Sequence, residues 1–368
     1  MALFDLKAHL KALSEVHAPS GHEAAARAVV RSAWEGLVDE FQQDGLGSLI
    51  GIKRATQPMK TPRKIMLAAH MDEIGLIVRE IVDGFLYVRG VAGMDNRTLL
   101  GKPVLVHGRR MLPGVVAAKP PHLLSESERK RYPAFDDLVV DLGLPAEEVE
   151  KLVRLGDLIT PDAKFLELEG KLVAGKAFDD RACVAAVTGA LHELQGMQHA
   201  WDVYAVATVQ EESGLFGALT AANMVQPDAA IALDVTFAEQ PGVPHDSASE
   251  LGGGPAIAMG ANIHPRFYKR LLETAKRGEI KHQTEAIVAN TGTDAWAIQV
   301  AREGIPTALL SIPLRNMHSP VETLDLRDVE RTARLLARFI AGLDEATLDA
   351  LTLDAPEEND EAKAAQAV

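Results

Sequence analysis

Four apolar runs, each delivering a histidine or an acid at or just past its end, constrain this chain more than any other feature. Residues 65–69 lead into His70-Met71-Asp72, and residues 203–209 into Gln210-Glu211-Glu212. Residues 229–233 lead into Asp234, and residues 306–312 are followed a short loop later by His318. Runs this apolar and β-branched read as strands buried on both faces, which requires helices above and below the sheet. In an open α/β sheet the functional crevice lies beyond the carboxyl ends of the strands. With Asp179-Asp180 placed just before a helical stretch, two histidines and several acids are expected at one sheet edge. Alternatively, Glu211 and Glu212 begin a solvated helix, where acids are favoured. That accounts for the pair but not for the other three endings.

Helical spacing is expected over residues 3–16, 24–37, 180–194, 217–224, 265–276, 294–302 and 327–351. Ser20 with Glu23 three residues on forms a capping-box pattern ahead of the second of these. From Ile74 the texture changes. Residues 74–90 alternate, with Asp83-Gly84 as a hairpin turn between Val82 and Phe85. Short strands are expected at 104–106, 114–118, 138–141 and 158–159, and a short helix at 145–154 with proline in its first turn. The expected organisation is therefore α/β. A catalytic layer comprises 1–73 and 172–352, a β-rich unit 74–171 is inserted into it, and a polar tail, 353–368, is expected to be disordered.

At 368 residues the chain can bury a large core and form two domains. A formal charge of −14 argues against nucleic acid or a membrane surface as partner. No apolar run approaches the roughly eighteen residues of a membrane span, and Asp5, Lys7 and His9 interrupt any basic-then-apolar leader. The single cysteine, Cys183, excludes an internal disulfide, fits a reducing cytoplasm, and reads as a small buried hydrophobe.

If the strand endings converge, His70, Asp179, Glu212, Asp234 and His318 share one crevice with Glu211, and Asp72 and Asp180 lie close by. Carboxylates so crowded raise one another's pKa and cannot all stay ionised without cations. Two divalent ions would balance three ligand carboxylates and one free glutamate. Imidazole with carboxylate suits zinc, cobalt or manganese better than magnesium or calcium. Five ligands suffice for a pair of ions about 3.5–4 Å apart if one carboxylate bridges them. In an extended chain His70 and Asp72 point to the same side, so Asp72 can brace the imidazole. Adjacent Glu211 and Glu212 point differently, so one can bind metal while the other faces the attacking water.

These residues sit in a series of linked motifs. They are His70-Met71-Asp72-Glu73-Ile74-Gly75, Phe178-Asp179-Asp180-Arg181, Gln210-Glu211-Glu212-Ser213-Gly214, Asp234-Val235-Thr236, Thr293-Asp294-Ala295 and Met317-His318-Ser319-Pro320-Val321-Glu322. With Pro120-Pro121-His122-Leu123-Leu124 in the inserted segment, the chain from about 5 to 345 resembles the tetrahedral (TET) dinuclear metal aminopeptidases of the M42 family. The resemblance implies a phosphorylase/hydrolase-like three-layer catalytic domain with an inserted β-barrel-like oligomerisation domain. It implies hydrolysis of N-terminal residues from short peptides, with zinc or cobalt as the first choices of metal. His70 and Asp234 would hold one ion, Glu212 and His318 the other. Asp179 would bridge, Glu211 would be the general base, and Asp72 would orient His70. A cis peptide after Asp179 and dimers assembling into tetrahedral twelve-subunit shells are also implied. The chain departs from the pattern at Cys183, where many relatives have glycine, and at Asn316, where an aromatic is common. It departs again in the loop at Ala238-Glu239-Gln240-Pro241-Gly242, one residue shorter than usual.

Rival readings explain less. A glycosidase flanks its bond with carboxyls about 5–10 Å apart and has no use for His70 and His318. A dinuclear amidohydrolase or carboxypeptidase would carry its extra domain after the glutamate ligand. A non-catalytic metal scaffold needs no Glu211. No Gly-x-Ser-x-Gly elbow exists, and Gly252-Gly253-Gly254-Pro255 lacks the Lys-Ser/Thr of a phosphate loop and reads as a turn. His22, His122, His192, His199, His245, His264 and His282 read as packing or surface residues.

Overall fold

Residues 4–351 are described by the computed structural model; the tail at 353–368 lies outside them. Along strand Lys64–His70 the pleat sends alternate side chains to opposite faces. Ile65, Leu67 and Ala69 join one apolar cluster with Leu10, Leu13, Val184 and Leu336, while Met66 and Ala68 join another with Ala218, Ala222 and Ile298. Two cores on one sheet make three layers. The eight-stranded sheet runs in the order Glu40–Gln43, Leu49–Lys53, Asp202–Thr208, Lys64–His70, Ala229–Phe237, Thr307–Leu314, Ala256–Gly260, Gln283–Ile287. Its four central strands are mutually parallel, so their carboxyl ends lie together.

Helix Phe178–Leu194 is buried throughout except at His192 and Glu193 and packs on Leu326–Ala341, more enclosed than its apolar spacing alone implied. Three expectations need correction. The strand bearing Asp234 does not end there but continues to Phe237, because Thr307–Leu314 pairs alongside with Asp234 opposite Ser311. The helix expected over 327–351 ends at Ala341 with Gly342 as its cap. Leu343 and Leu351 pack on the same core from beyond the break, which is why the apolar spacing runs on. The capping box at Ser20 is not formed: the Ser20 hydroxyl lies 2.7 Å from that of Ser213, and Glu23 accepts from the backbone N–H of Gly21 and Gln210.

Between the His70 strand and the Asp179 helix six strands close into a barrel. Their order is Gly75–Val82, Phe85–Val91, Leu138–Asp141, Met111–Ala118, Pro103–His107, Leu158–Pro161, and back to the first. Asp83 and Gly84 both take positive φ (50° and 85°), as the tight hairpin turn requires. Leu76, Val88, Val104, Val116 and Ile159 fill the interior.

Where barrel and sheet meet, Glu73 is buried between two cations. Its carboxylate accepts from Lys176 Nζ at 2.6 Å, Arg181 Nη2 at 3.2 Å and the Ala18 N–H at 2.8 Å. Burial would push its pKa up, but Lys176 and Arg181 outweigh it and hold the group down at about 2. Removing one member of a buried ionic cluster leaves the others uncompensated, at a cost of about 3–5 kcal/mol. Glu73→Ala should lower the unfolding free energy by that amount in denaturant titrations. A loss below about 1 kcal/mol would show that the cluster contributes little.

Candidate active site and metal centre

Each strand end presents its side chain in the order the sheet dictates. His70 closes its strand, and its own N–H donates to Asp180 Oδ2 at 3.1 Å. Asp234 points into the same crevice from the neighbouring strand, and Cys183 donates its thiol hydrogen to the Asp234 carbonyl at 3.0 Å. Glu211 and Glu212 follow Asp202–Thr208 in a turn, since the next helix begins only at Phe216; Glu211 is buried rather than solvated. His318 comes from the loop after Thr307–Leu314, which turns through left-handed backbone at Asn316 and at His318 itself (φ 57° and 61°). The Asp179–Asp180 peptide is cis, as the resemblance implied.

All the singled-out side chains meet. His70 Nε2 lies 3.1 Å from Asp179 Oδ1 and 3.8 Å from Glu211 Oε2. His318 Nε2 lies 3.3 Å from Asp179 Oδ2 and 3.5 Å from Glu212 Oε1. Asp179 therefore reaches both imidazoles, one with each oxygen. Donor atoms of His70, Glu211 and Asp234, and of His70, Asp179 and Glu212, lie within 4.8 Å of one another. Asp72 faces His70 Nδ1 at 3.4 Å, yet its hydrogen bonds come from the backbone N–H groups of Glu211 and Glu212, at 3.1 and 3.2 Å. It anchors the turn that carries both glutamates.

The electrostatics follow from burial. Desolvation, then the charges of Asp234, Asp294 and Asp179, raise the Glu211 pKa to about 10 even against the pull of His70. Glu212 and Asp234 are also pushed well up, first by burial and then by Asp179. Burial pushes Asp179 the same way, but hydrogen bonds from His318 and His70 outweigh it and hold it low. Left to themselves, Glu211, Glu212 and Asp234 retain protons they would lose in water. Divalent cations would supply the missing positive charge, and the donor set of two imidazoles and several carboxylates fits them. His70 Nδ1, Asp180 Oδ1 and Asp294 Oδ1 are buried without a hydrogen-bond partner among the described residues, where buried polar atoms are ordinarily satisfied.

Two acids from the quoted motifs, for which the sequence suggested no role, prove structural to the site. Buried Glu322 accepts from the N–H of Asp179 at 3.1 Å and from that of His318 at 3.0 Å, one through each oxygen. Asp294 sits behind the His70 strand and takes the Thr208 hydroxyl at 2.5 Å. Glu322→Gln retains the shape but puts an amide N–H₂ against one of those backbone donors. Outer partners of metal ligands typically contribute about 10–100-fold in affinity. If Asp179 and His318 bind metal, that loss is expected in a competition titration against a chromogenic chelator; wild-type affinity would show that Glu322 does not hold metal ligands.

The departures also have local reasons. Asn316 tolerates left-handed φ better than most residues, and its N–H donates to Gln240 Oε1 at 2.7 Å, tying it to the shortened loop. Arg315 ties the same loop through the Glu239 carbonyl at 2.8 Å. His22 and His245 are exposed, His192 stacks on Phe4, and His199 and His282 bond to backbone carbonyls.

Comparison with known proteins agrees with this geometry. Residues 47–335 match the model of the M42 glutamyl aminopeptidase family. The chain is 39% identical over 342 residues to a lysyl aminopeptidase of Pyrococcus furiosus, covering 91% of this chain and 96% of that protein. It superposes with a TM-score of 0.88 on the TET aminopeptidase of the marine-sediment Thaumarchaeota archaeon SCGC AB-539-E09, at 35% identity over 94% of this chain and 99% of that one. It also resembles the Pyrococcus horikoshii TET1 peptidase, which can assemble into a tetrahedron or a large octahedral shell. There the TM-score is 0.81 and the identity 32%, over 92% and 100% of the two chains. The chain belongs to the M42 glutamyl aminopeptidase family and is a metal-dependent aminopeptidase, a hydrolase acting on peptides.

Proposed function

We propose that the enzyme removes N-terminal residues from short peptides at a centre of two divalent ions, zinc or cobalt ahead of manganese. His70 and Asp234 would hold one, Glu212 and His318 the other, and Asp179 would serve both. The observation that carries this reading is Asp179 itself, whose two oxygens face His70 and His318 at 3.1 and 3.3 Å. When bound, such ions polarise a carbonyl and lower the pKa of a water from about 15.7 to about 7, worth roughly 12 kcal/mol.

The remaining chemistry falls to the chain. Glu211, facing His70 Nε2 at 3.8 Å and in none of the proposed ligand pairs, takes the proton of the attacking water and returns it to the leaving amine. Asp72 keeps the Glu211–Glu212 backbone in place so that the two carboxylates diverge. The buried setting excludes bulk water and strengthens each charge interaction.

We assign the inserted barrel, taken as 74–171, to subunit contacts. The assembly would be built from dimers into a tetrahedral dodecamer; among the TET1 neighbours one structure is a dodecamer and another a tetrahedron or large octahedral shell. No helix among the described residues is long and apolar enough to cross a membrane, and the single cysteine fits a cytoplasmic setting. The test is a panel of aminoacyl-anilides assayed with zinc, cobalt or manganese after chelator dialysis. Activity should vanish on dialysis and return with metal. Undiminished cleavage after dialysis, or cleavage of glycosides only, would overturn the reading.

A further inference from the structure

His318 differs from His70 in what holds it. Strand pairing and the Asp180 carboxylate hold the His70 backbone, and its ring is buried with Asp72 facing Nδ1 at 3.4 Å and Asp179 facing Nε2 at 3.1 Å. His318 sits in a loop, in left-handed backbone (φ 61°), with its side chain 31% exposed. Glu322 holds its N–H, but a backbone anchor leaves the imidazole free to rotate. Nε2 faces Asp179 and Glu212, and the partner that meets the other ring nitrogen comes from the barrel: His318 Nδ1 lies 3.2 Å from the carbonyl oxygen of Gly93.

The Gly93 segment is shaped for that contact. Strand Phe85–Val91 ends two residues before Gly93, and Ala92 between them adopts φ 58°, unusual for a residue with a side chain. The Met94 N–H closes back on the Ala92 carbonyl at 2.8 Å, a three-residue turn that leaves the Gly93 carbonyl facing outward. Met94 itself is anchored in the barrel interior. A Cβ built on Gly93 would collide with His318 Nδ1 and Cε1, so only glycine lets the turn approach the ring this closely.

From this we infer that Gly93, a residue of the inserted barrel, is a positioning residue for the metal centre: its carbonyl fixes the rotamer and tautomer of His318, and its bare Cα makes room for the ring. With the proton on Nδ1 and donated to Gly93, Nε2 presents its lone pair toward Asp179 and Glu212, the state a metal-ligating imidazole needs. The barrel thus completes a site that the sheet alone leaves loose at one corner. This rests on the metal-centre reading above.

The test counts ions and measures zinc affinity on metal-stripped protein by competition with a chromogenic chelator, for wild type, Gly93→Ala, His318→Ala and the double variant. Gly93→Ala should weaken the second ion by about 10–100-fold. In the His318→Ala background, where the ring is gone, the same change should cost nothing further. Gly101→Ala serves as the barrel control, since that glycine (φ 77°) faces open space; it can lower the thermal midpoint but should leave zinc affinity unchanged. Should Gly93→Ala fail to fold, the double variant should recover the fold, because the collision is removed. Wild-type zinc affinity in Gly93→Ala would overturn the inference. So would an equal loss with and without His318, an equal loss in Gly101→Ala, or a double variant that also fails to fold. If wild type binds no zinc, the metal-centre reading falls and this inference with it; if only Gly93→Ala behaves as wild type, this inference falls alone.

Discussion

Glu211→Gln should lower kcat by about 10²–10⁴-fold, roughly 3–5 kcal/mol in the barrier, the usual contribution of a positioned general base. The substitution is nearly isosteric, so it leaves shape and packing in place and removes only proton affinity. The turn that carries the residue is held by Asp72 through backbone N–H groups, which the side-chain change does not touch. Metal content and thermal midpoint should therefore match wild type while turnover collapses. In the metal-free protein burial and the nearby acids keep Glu211 protonated well above its unfolded pKa, so folding near pH 7 must take up a proton that glutamine does not need, and the metal-free variant should be somewhat more stable than wild type there. A variant retaining more than about a tenth of wild-type kcat would remove Glu211 from the base's role and leave the metal centre standing.

Asp179→Ala should do the opposite, stripping metal first and activity in consequence. Asp179 offers one oxygen to each imidazole at 3.1 and 3.3 Å, so its loss disconnects both halves of the donor set. The loss should exceed the 10–100-fold typical of an outer partner, leaving less than two ions per subunit after dialysis and kcat/KM too low for excess metal to restore. Elemental analysis of the dialysed variant, read beside the Glu211→Gln protein, separates the two roles. Two ions retained at wild-type affinity would show that Asp179 does not serve both.

The legibility of this site in the sequence depended on where each residue sits. His70 and Asp234 could be read because a buried strand announces itself by composition, and its end is a fixed place in an α/β sheet. The barrel could be read from alternation and from Asp83-Gly84, whose positive φ values are a local matter. The polar edge strands Glu40–Gln43 and Gln283–Ile287 could not, because half-exposed edges carry little apolar pattern. Nor could the roles of Glu322 and Gly93. Their bonds join a side chain to backbone 143 residues away, and a carbonyl to an imidazole 225 residues away, and such pairings leave no periodicity. Glu322 lies in a quoted motif, yet only the fold shows that it grips the backbone of Asp179 and His318 at once.

The most direct test of the metal centre is anomalous diffraction from crystals of the zinc-loaded enzyme, recorded above and below the zinc edge. Two peaks should appear on either side of Asp179, one within bonding reach of His70 and Asp234 and the other of Glu212 and His318, with Glu211 beside them and bound to neither. Peaks elsewhere, a single ion that bypasses Asp179, or zinc bound to Glu211 in place of Asp234 would contradict the account.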